Sequence, residues 1–250
     1  MKMKTTLKLQ RYIWIGILNI SLCFSNIFAQ QPPTKHYVGI EKNKKSFIFN
    51  EEMSIQDYCY VLEFLKQELG EDSELYKFLV PDTAKFKELY GFPFFYDEAG
   101  SYAARDSIKK LQRILPMVAI SYEQAMACCQ RMEYELNKHS KNKYIWQCSL
   151  PEKADYEVVF KKAEITQRES LSSLQGKYRI TRYKRKDATY TIIRPKRDNR
   201  ILGLTDNVAE YTQDGMIVEG DKNAVLKFVE TKDSETPIGF RFKATVVSKK

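Results

Sequence analysis

Few groups in this chain can attack, ligate or carry a proton, and their spacing limits the chemistry. The histidines are His36 and His139, too few for a zinc or iron centre built on several imidazoles. Beyond Cys23, the cysteines are Cys59, Cys128, Cys129 and Cys148. A thiolate can be a nucleophile or a soft-metal ligand, but no CxxC pair occurs, and only Arg131 is basic near Cys128 and Cys129. Those two are adjacent on an expected helix and face different directions. A disulfide involving Cys59, Cys129 or Cys148 suits an exported chain better than a reactive thiol.

Oxygen chemistry concentrates in Gly203–Thr212, where Asp206, Asn207 and Glu210 fall within five residues. Such a group can hold a hard cation, calcium being the candidate. The same side chains also make a turn that bonds its own amides. Glu210 or Asp214 could serve as general acid or base if a cleft received them.

Cations gather in one place. Residues 177–200 hold ten Lys or Arg against two Asp, a net of +8. Arg182, Lys184, Arg185, Lys186, Arg194, Lys196 and Arg197 form the candidate binding surface. Residues 1–29 contribute four cations and no acid, so the formal +9 falls to +5 without them, and the rest of the chain is about −3. Local positive potential draws acidic polysaccharide, anionic lipid or nucleic acid. It also makes a solvated ribbon that resists edge-to-edge pairing.

Nucleic acid is the least favoured of those partners, because residues 1–29 have the pattern of a secretory signal peptide. Lys2, Lys4, Lys8 and Arg11 precede the mostly apolar run Tyr12–Phe24, and Ala29 offers a small residue for cleavage. The run is shorter than a bilayer span. Leu22 before Cys23 does not suit lipidation. The expected location is the periplasm or cell envelope, and the mature chain is not an integral membrane protein.

The elements that would position these groups follow from pattern. Residues 30–36 are a polar leader, and 37–250 form a single domain without repeats or low-complexity linkers. Tyr37–Ile40 and Phe47–Phe49 are expected strands. Ser54 caps a helix whose apolar face is Tyr58, Val61, Leu62 and Leu65, and Gly70 stops it. Ser73–Tyr90 is helical with a break at Pro81. The aromatic run Phe92–Tyr96 is expected to pack. Pro116–Ile120 is predicted to be a strand. Ser121 and Gln124 make a capping box before an apolar face of Tyr122, Ala125, Met126, Cys129 and Met132. Pro151 and Glu152 suit another helix start. Tyr178–Tyr183 and Thr189–Arg194 read as a hairpin.

Four segments, in order, resemble the formylglycine-generating enzyme (sulfatase-modifying factor) family. Pro116–Ala125 is similar to its "PVVxVSWxDA" segment, Leu150–Glu157 to "LPTEAEWE", Asp206–Thr212 to "GNVWEWT", and Gly239-Phe240-Arg241 to the closing "GFR". Phe49–Tyr58 is a fainter match to "KYEVTNxQY". The resemblance implies an α+β fold of the C-type-lectin-like kind, compact and loop-rich, with two main helices on small antiparallel sheets. It also implies possible calcium near Asn207 and no other cofactor.

The departures bear on activity. Oxidase members place two copper-binding cysteines shortly before "GFR", and Leu226–Pro237 contains none. The family cysteine after "GFR" is Phe242 here, which removes the partner the resemblance would give Cys129. The expectation is a non-catalytic scaffold or binding module of the bacterial envelope, of the gliding-motility or secretion-associated type, with an envelope protein or acidic glycan as partner. The alternatives are a divergent enzyme of the superfamily and a calcium-assisted glycan binder.

Overall fold

The computed structural model describes residues 37–39, 46–49, 51–99, 101–112, 115–139, 144–159, 178–185, 188–195, 208–220, 226–231 and 237–249. The expected signal peptide and leader, residues 1–36, lie outside them, as do Lys186, Lys196, Arg197, Asp206 and Asn207. The architecture is α+β. Strands β1 (Tyr37–Gly39) and β2 (Ser46–Phe49) precede helices α1 (Ile55–Leu69), α2 (Glu74–Leu79), α3 (Thr83–Tyr90), α4 (Tyr102–Gln112) and α5 (Tyr122–His139). Then come β3 (Tyr144–Ser149), a helical turn over 153–159, and the hairpin β4 (Tyr178–Arg185) and β5 (Ala188–Pro195). The chain ends in β6 (Ala209–Tyr211), β7 (Met216–Gly220), β8 (Leu226–Glu230), β9 (Ile238–Gly239) and β10 (Lys243–Lys249).

Local sequence sets most helix ends. The Ser54 side chain accepts from the Asp57 amide at 3.1 Å, and Gly70 at φ 87° closes α1. Asp82, one residue past Pro81, caps α3 through the Lys85 amide, and Gly91 ends it in the left-handed conformation that glycine adopts without penalty. The capping box is reciprocal: the Gln124 amide donates to Ser121 Oγ at 3.2 Å, and the Ser121 amide donates to Gln124 Oε1 at 2.7 Å. Each bond uses a helix-end amide that would otherwise lack a partner.

One sheet runs β1-β2-β10-β3, all antiparallel, so the C-terminal strand lies between strands from the start and middle of the domain. Val246 faces Trp146 and Ser248 faces Ile145, leaving Val247 as an extra, exposed residue in a β-bulge. Edge strand β3 is covered by α5. Asn137 exchanges two hydrogen bonds with the Trp146 backbone, and Glu133 accepts from the Cys148 amide at 2.9 Å. Side chains of a helix thus satisfy strand amides that no further strand pairs. The second sheet runs β8-β7-β6-β9, with β9 parallel to β6. Tyr156 and Val159 of the 153–159 turn pack with Ile48 of the first sheet and Val218 of the second.

The expected strand at Pro116–Ile120 is corrected: this segment makes only an isolated bridge, Ser54 to Pro116. Ala119 takes a φ of 61°, which turns the chain out of extended geometry before α5. The segment is nevertheless core, with Met117, Val118, Ala119 and Ile120 all buried. The aromatic run packs as expected at Phe92 and Phe94, whose ring centroids stand 5.7 and 5.2 Å from that of Phe86.

Gly239 is required for space rather than for its dihedral freedom. A Cβ there would lie 2.9 Å from Val208 Cγ2 and 3.0 Å from the Met117 carbonyl oxygen. The Met117 amide is itself bonded to Met53 O at 2.7 Å, so that backbone has little freedom to retreat. Gly239→Ala is expected to cost about 1–3 kcal/mol, the usual range for overpacking a core. Urea unfolding of the two proteins measures it, and equal midpoints would contradict the close packing.

Candidate functional site

Strand β6 places Glu210 opposite Gly239 of β9, and two residues further on the chain delivers Arg241 to the same point. The guanidinium grips the carboxylate with two bonds: Nε donates to Glu210 Oε2 at 2.6 Å and Nη2 to Oε1 at 2.5 Å. Nη1 donates to the Phe49 carbonyl at 3.2 Å, and Glu52 Oε1 stands 3.7 Å from Nη2. From the 153–159 turn, Tyr156 Oη donates to Glu210 Oε2 at 2.9 Å. All four side chains are buried, Arg241 and Tyr156 at 0% exposure.

Burial alone would lower the Arg241 pKa. The Glu210 charge, its hydrogen bonds and the Glu52 charge reverse that, and the guanidinium is held above its ordinary value. Burial, then the Glu210 charge, pushes the Tyr156 phenol well up, so it remains a donor. A paired, hydrogen-bonded ion is the form in which a buried charge is tolerated. Beside this centre, Lys243 pairs with Asp155 at 2.8 Å, and the same Asp155 oxygen accepts from the Glu152 amide at 2.8 Å, fixing the start of the turn.

The segment after Glu210 is pinned just as closely. Tyr211 Oη donates to the Ile120 carbonyl at 3.0 Å, and Tyr122 Oη to the Gln213 carbonyl at 2.7 Å, with the two rings edge to face. The Gln213 amide donates to Pro151 O at 2.9 Å. Residues 150–157, 208–213 and 238–241 therefore meet at one buried centre, and residues 116–125 are tied to the 211–213 segment beside it through Ile120 and Tyr122. Sequence reasoning quoted all four segments, yet as site residues it missed Arg241, Tyr156 and Glu52. The signal for them was the Arg of Gly239-Phe240-Arg241, a cation inside an otherwise buried run.

Glu210 is already engaged by Arg241 and Tyr156, so offering its carboxylate to calcium would strand the guanidinium. Among the described residues no group of three His, Cys, Asp or Glu could hold a metal. Asp214 is exposed in the Thr212–Met216 turn, while Glu210 is sealed away, so the structure does not bring the two acid/base candidates together in a cleft.

The expected disulfide is not formed: Cys59, Cys128, Cys129 and Cys148 are all free thiols. Cys128, Cys129 and Cys148 are buried in the main core, where a thiol packs as a small apolar group. Burial, and next the Asp57 charge, pushes the Cys59 thiol up to about 12. Burial likewise raises the other three, so none supplies a thiolate near neutral pH. Phe242 packs on Phe49 with ring centroids 3.8 Å apart.

Of the expected binding surface, Arg182, Lys184, Arg185 and Arg194 fall on β4 and β5, which among the described residues form a two-stranded sheet. Among the described residues no helix is long and apolar enough to cross a membrane. The fold and site together define an α+β domain knit around a buried arginine–carboxylate centre. Comparison with family models, curated proteins and solved structures finds no match to this chain.

Proposed function

We propose that the chain is an exported, non-catalytic scaffold or binding module of the bacterial cell envelope. In this reading it is built on the compact, C-type-lectin-like framework of the formylglycine-generating enzyme family. The observation that carries this reading is that three of the four segments that resemble that family meet at the Glu210–Arg241 pair, while the fourth is bonded to the strand that carries Glu210. Segments scattered over more than a hundred residues are bonded to one another, as parts of one framework would be. The polar groups gathered there are spent on each other, and the thiols are protonated core residues. What remains for function is the surface, and fold alone does not assign a reaction.

The test is chemical. The chain beginning at Gln30 is incubated with copper(I) and a cysteine-containing sulfatase peptide, and the peptide mass is followed. An unchanged mass is expected, together with recovery of the native protein in the envelope fraction of the producing cells. Conversion of the peptide cysteine to formylglycine would overturn the non-catalytic reading.

A further inference from the structure

The β4–β5 hairpin is unusual in its charge and its register. Its strands carry Arg179, Arg182, Lys184, Arg185 and Arg194 and no acid; Asp187 stands in the connection. Arg179 lies directly opposite Arg194, and like charges at facing positions destabilise an antiparallel pair. Four residues along, and on the same face by alternation, Tyr183 lies opposite Tyr190, followed by Arg185. The other face carries Arg182 and Lys184, beyond the Ile180–Ile193 pair. At about 3.3 Å per residue, cations and tyrosines are spread along a ribbon of roughly 26 Å. A bound polyanion would relieve the opposition of Arg179 and Arg194 across the ladder.

We propose that this hairpin is the contact surface for an acidic polysaccharide bearing carboxylate or sulfate groups. The inference rests on the reading of the chain as an exported binding module. Four of the five strand cations are arginine, whose planar fork matches carboxylate and sulfate oxygens in pairs. Tyr183 and Tyr190 hold facing register positions, and tyrosine is a residue type on which sugar rings stack. A bilayer fits less well, because residues 184–188 at the tip are Lys-Arg-Lys-Asp-Ala, with no large apolar residue to insert. Cations on both faces suit a thin linear chain that follows the ribbon, whereas a flat lipid surface meets only one.

The experiment uses the full chain from Gln30 and measures binding, over a salt series, to polygalacturonate, heparin, neutral dextran, phosphatidylglycerol–phosphatidylethanolamine vesicles and a single-stranded oligonucleotide. Binding to the two acidic glycans and none to dextran is expected. The combined change Arg182→Glu, Lys184→Glu and Arg185→Glu should weaken glycan binding at least about tenfold and flatten its salt dependence. Tyr183→Ser with Tyr190→Ser should weaken binding while leaving the salt slope unchanged. If charge reversal shifts the melting temperature, the neutral set Arg182→Gln, Lys184→Gln and Arg185→Gln is read instead. Undiminished glycan binding by the charge variants overturns the proposal. So does tighter binding to vesicles or oligonucleotide, or self-association without glycan binding. No glycan binding by the wild-type chain, with an inert sulfatase peptide, sinks only the hairpin assignment; formylglycine formation sinks the module reading itself.

Discussion

Arg241→Met is expected to destabilise the domain by about 3–5 kcal/mol, the cost of breaking a buried ion pair from one side. The substitution removes the only cation facing Glu210 among its hydrogen-bond partners and leaves that carboxylate buried with the Tyr156 hydroxyl alone. Glu52 loses the guanidinium 3.7 Å from its Oε1 as well. The Phe49 carbonyl loses the Nη1 donor that ties β2 to the end of β9. Arg241→Lys should recover little, because a point charge with no fork cannot serve Oε1, Oε2 and a carbonyl together.

The informative comparison is the double variant Arg241→Met with Glu210→Leu. Removing both charges abolishes the stranded Glu210 carboxylate, so the pair of changes should cost clearly less than the two single costs added. Urea unfolding at neutral pH measures all three proteins. Additive losses, or a single-variant loss under about 1 kcal/mol, would mean that the guanidinium is not what neutralises this centre.

How much of this was legible in the sequence depends on distance along the chain. The Ser54 cap, the Gly70 stop, the break at Pro81 and the Ser121–Gln124 box are local, and each was read from residues within four positions of one another. Helix α4 escaped notice because Ile108 and Gln112 are its buried residues, too few for an apolar stripe to show in the pattern. Pro116–Ile120 looked like a strand because it is a short apolar run, and such runs fit a strand or any other buried segment. The positive φ at Ala119 has no signature in an alanine. The partnership of Arg241 with Glu210, Glu52 and Tyr156 was the least legible. Glu210 drew attention for its proximity to Asp206 and Asn207, and that proximity suggested calcium. The partner that occupies it lies 31 residues away in sequence, brought alongside by the parallel pairing of β6 and β9.

Alkaline pH should destabilise the fold steeply, and the core thiols should account for much of the loss. Cys128, Cys129 and Cys148 are buried in apolar surroundings that push each thiol above its ordinary value of 9.0. A raised folded pKa means that the folded chain keeps protons the unfolded chain gives up. Stability is therefore intact below about pH 9 and falls as pH rises through that value toward the folded pKa. One unit above the unfolded pKa, each thiol contributes a loss of about 1.4 kcal/mol, so three together remove on the order of 4 kcal/mol. That is a large part of the 5–15 kcal/mol typical of a folded protein. Urea unfolding at about pH 8, 9 and 10 should show the decline. Cys129→Ala or Cys148→Ala, while costing some packing at every pH, should each make the decline shallower by about one proton. A pH dependence identical in wild type and variants would show that these thiols ionise as freely folded as unfolded. It would then restore them as candidates for the nucleophilic chemistry that their burial denies them.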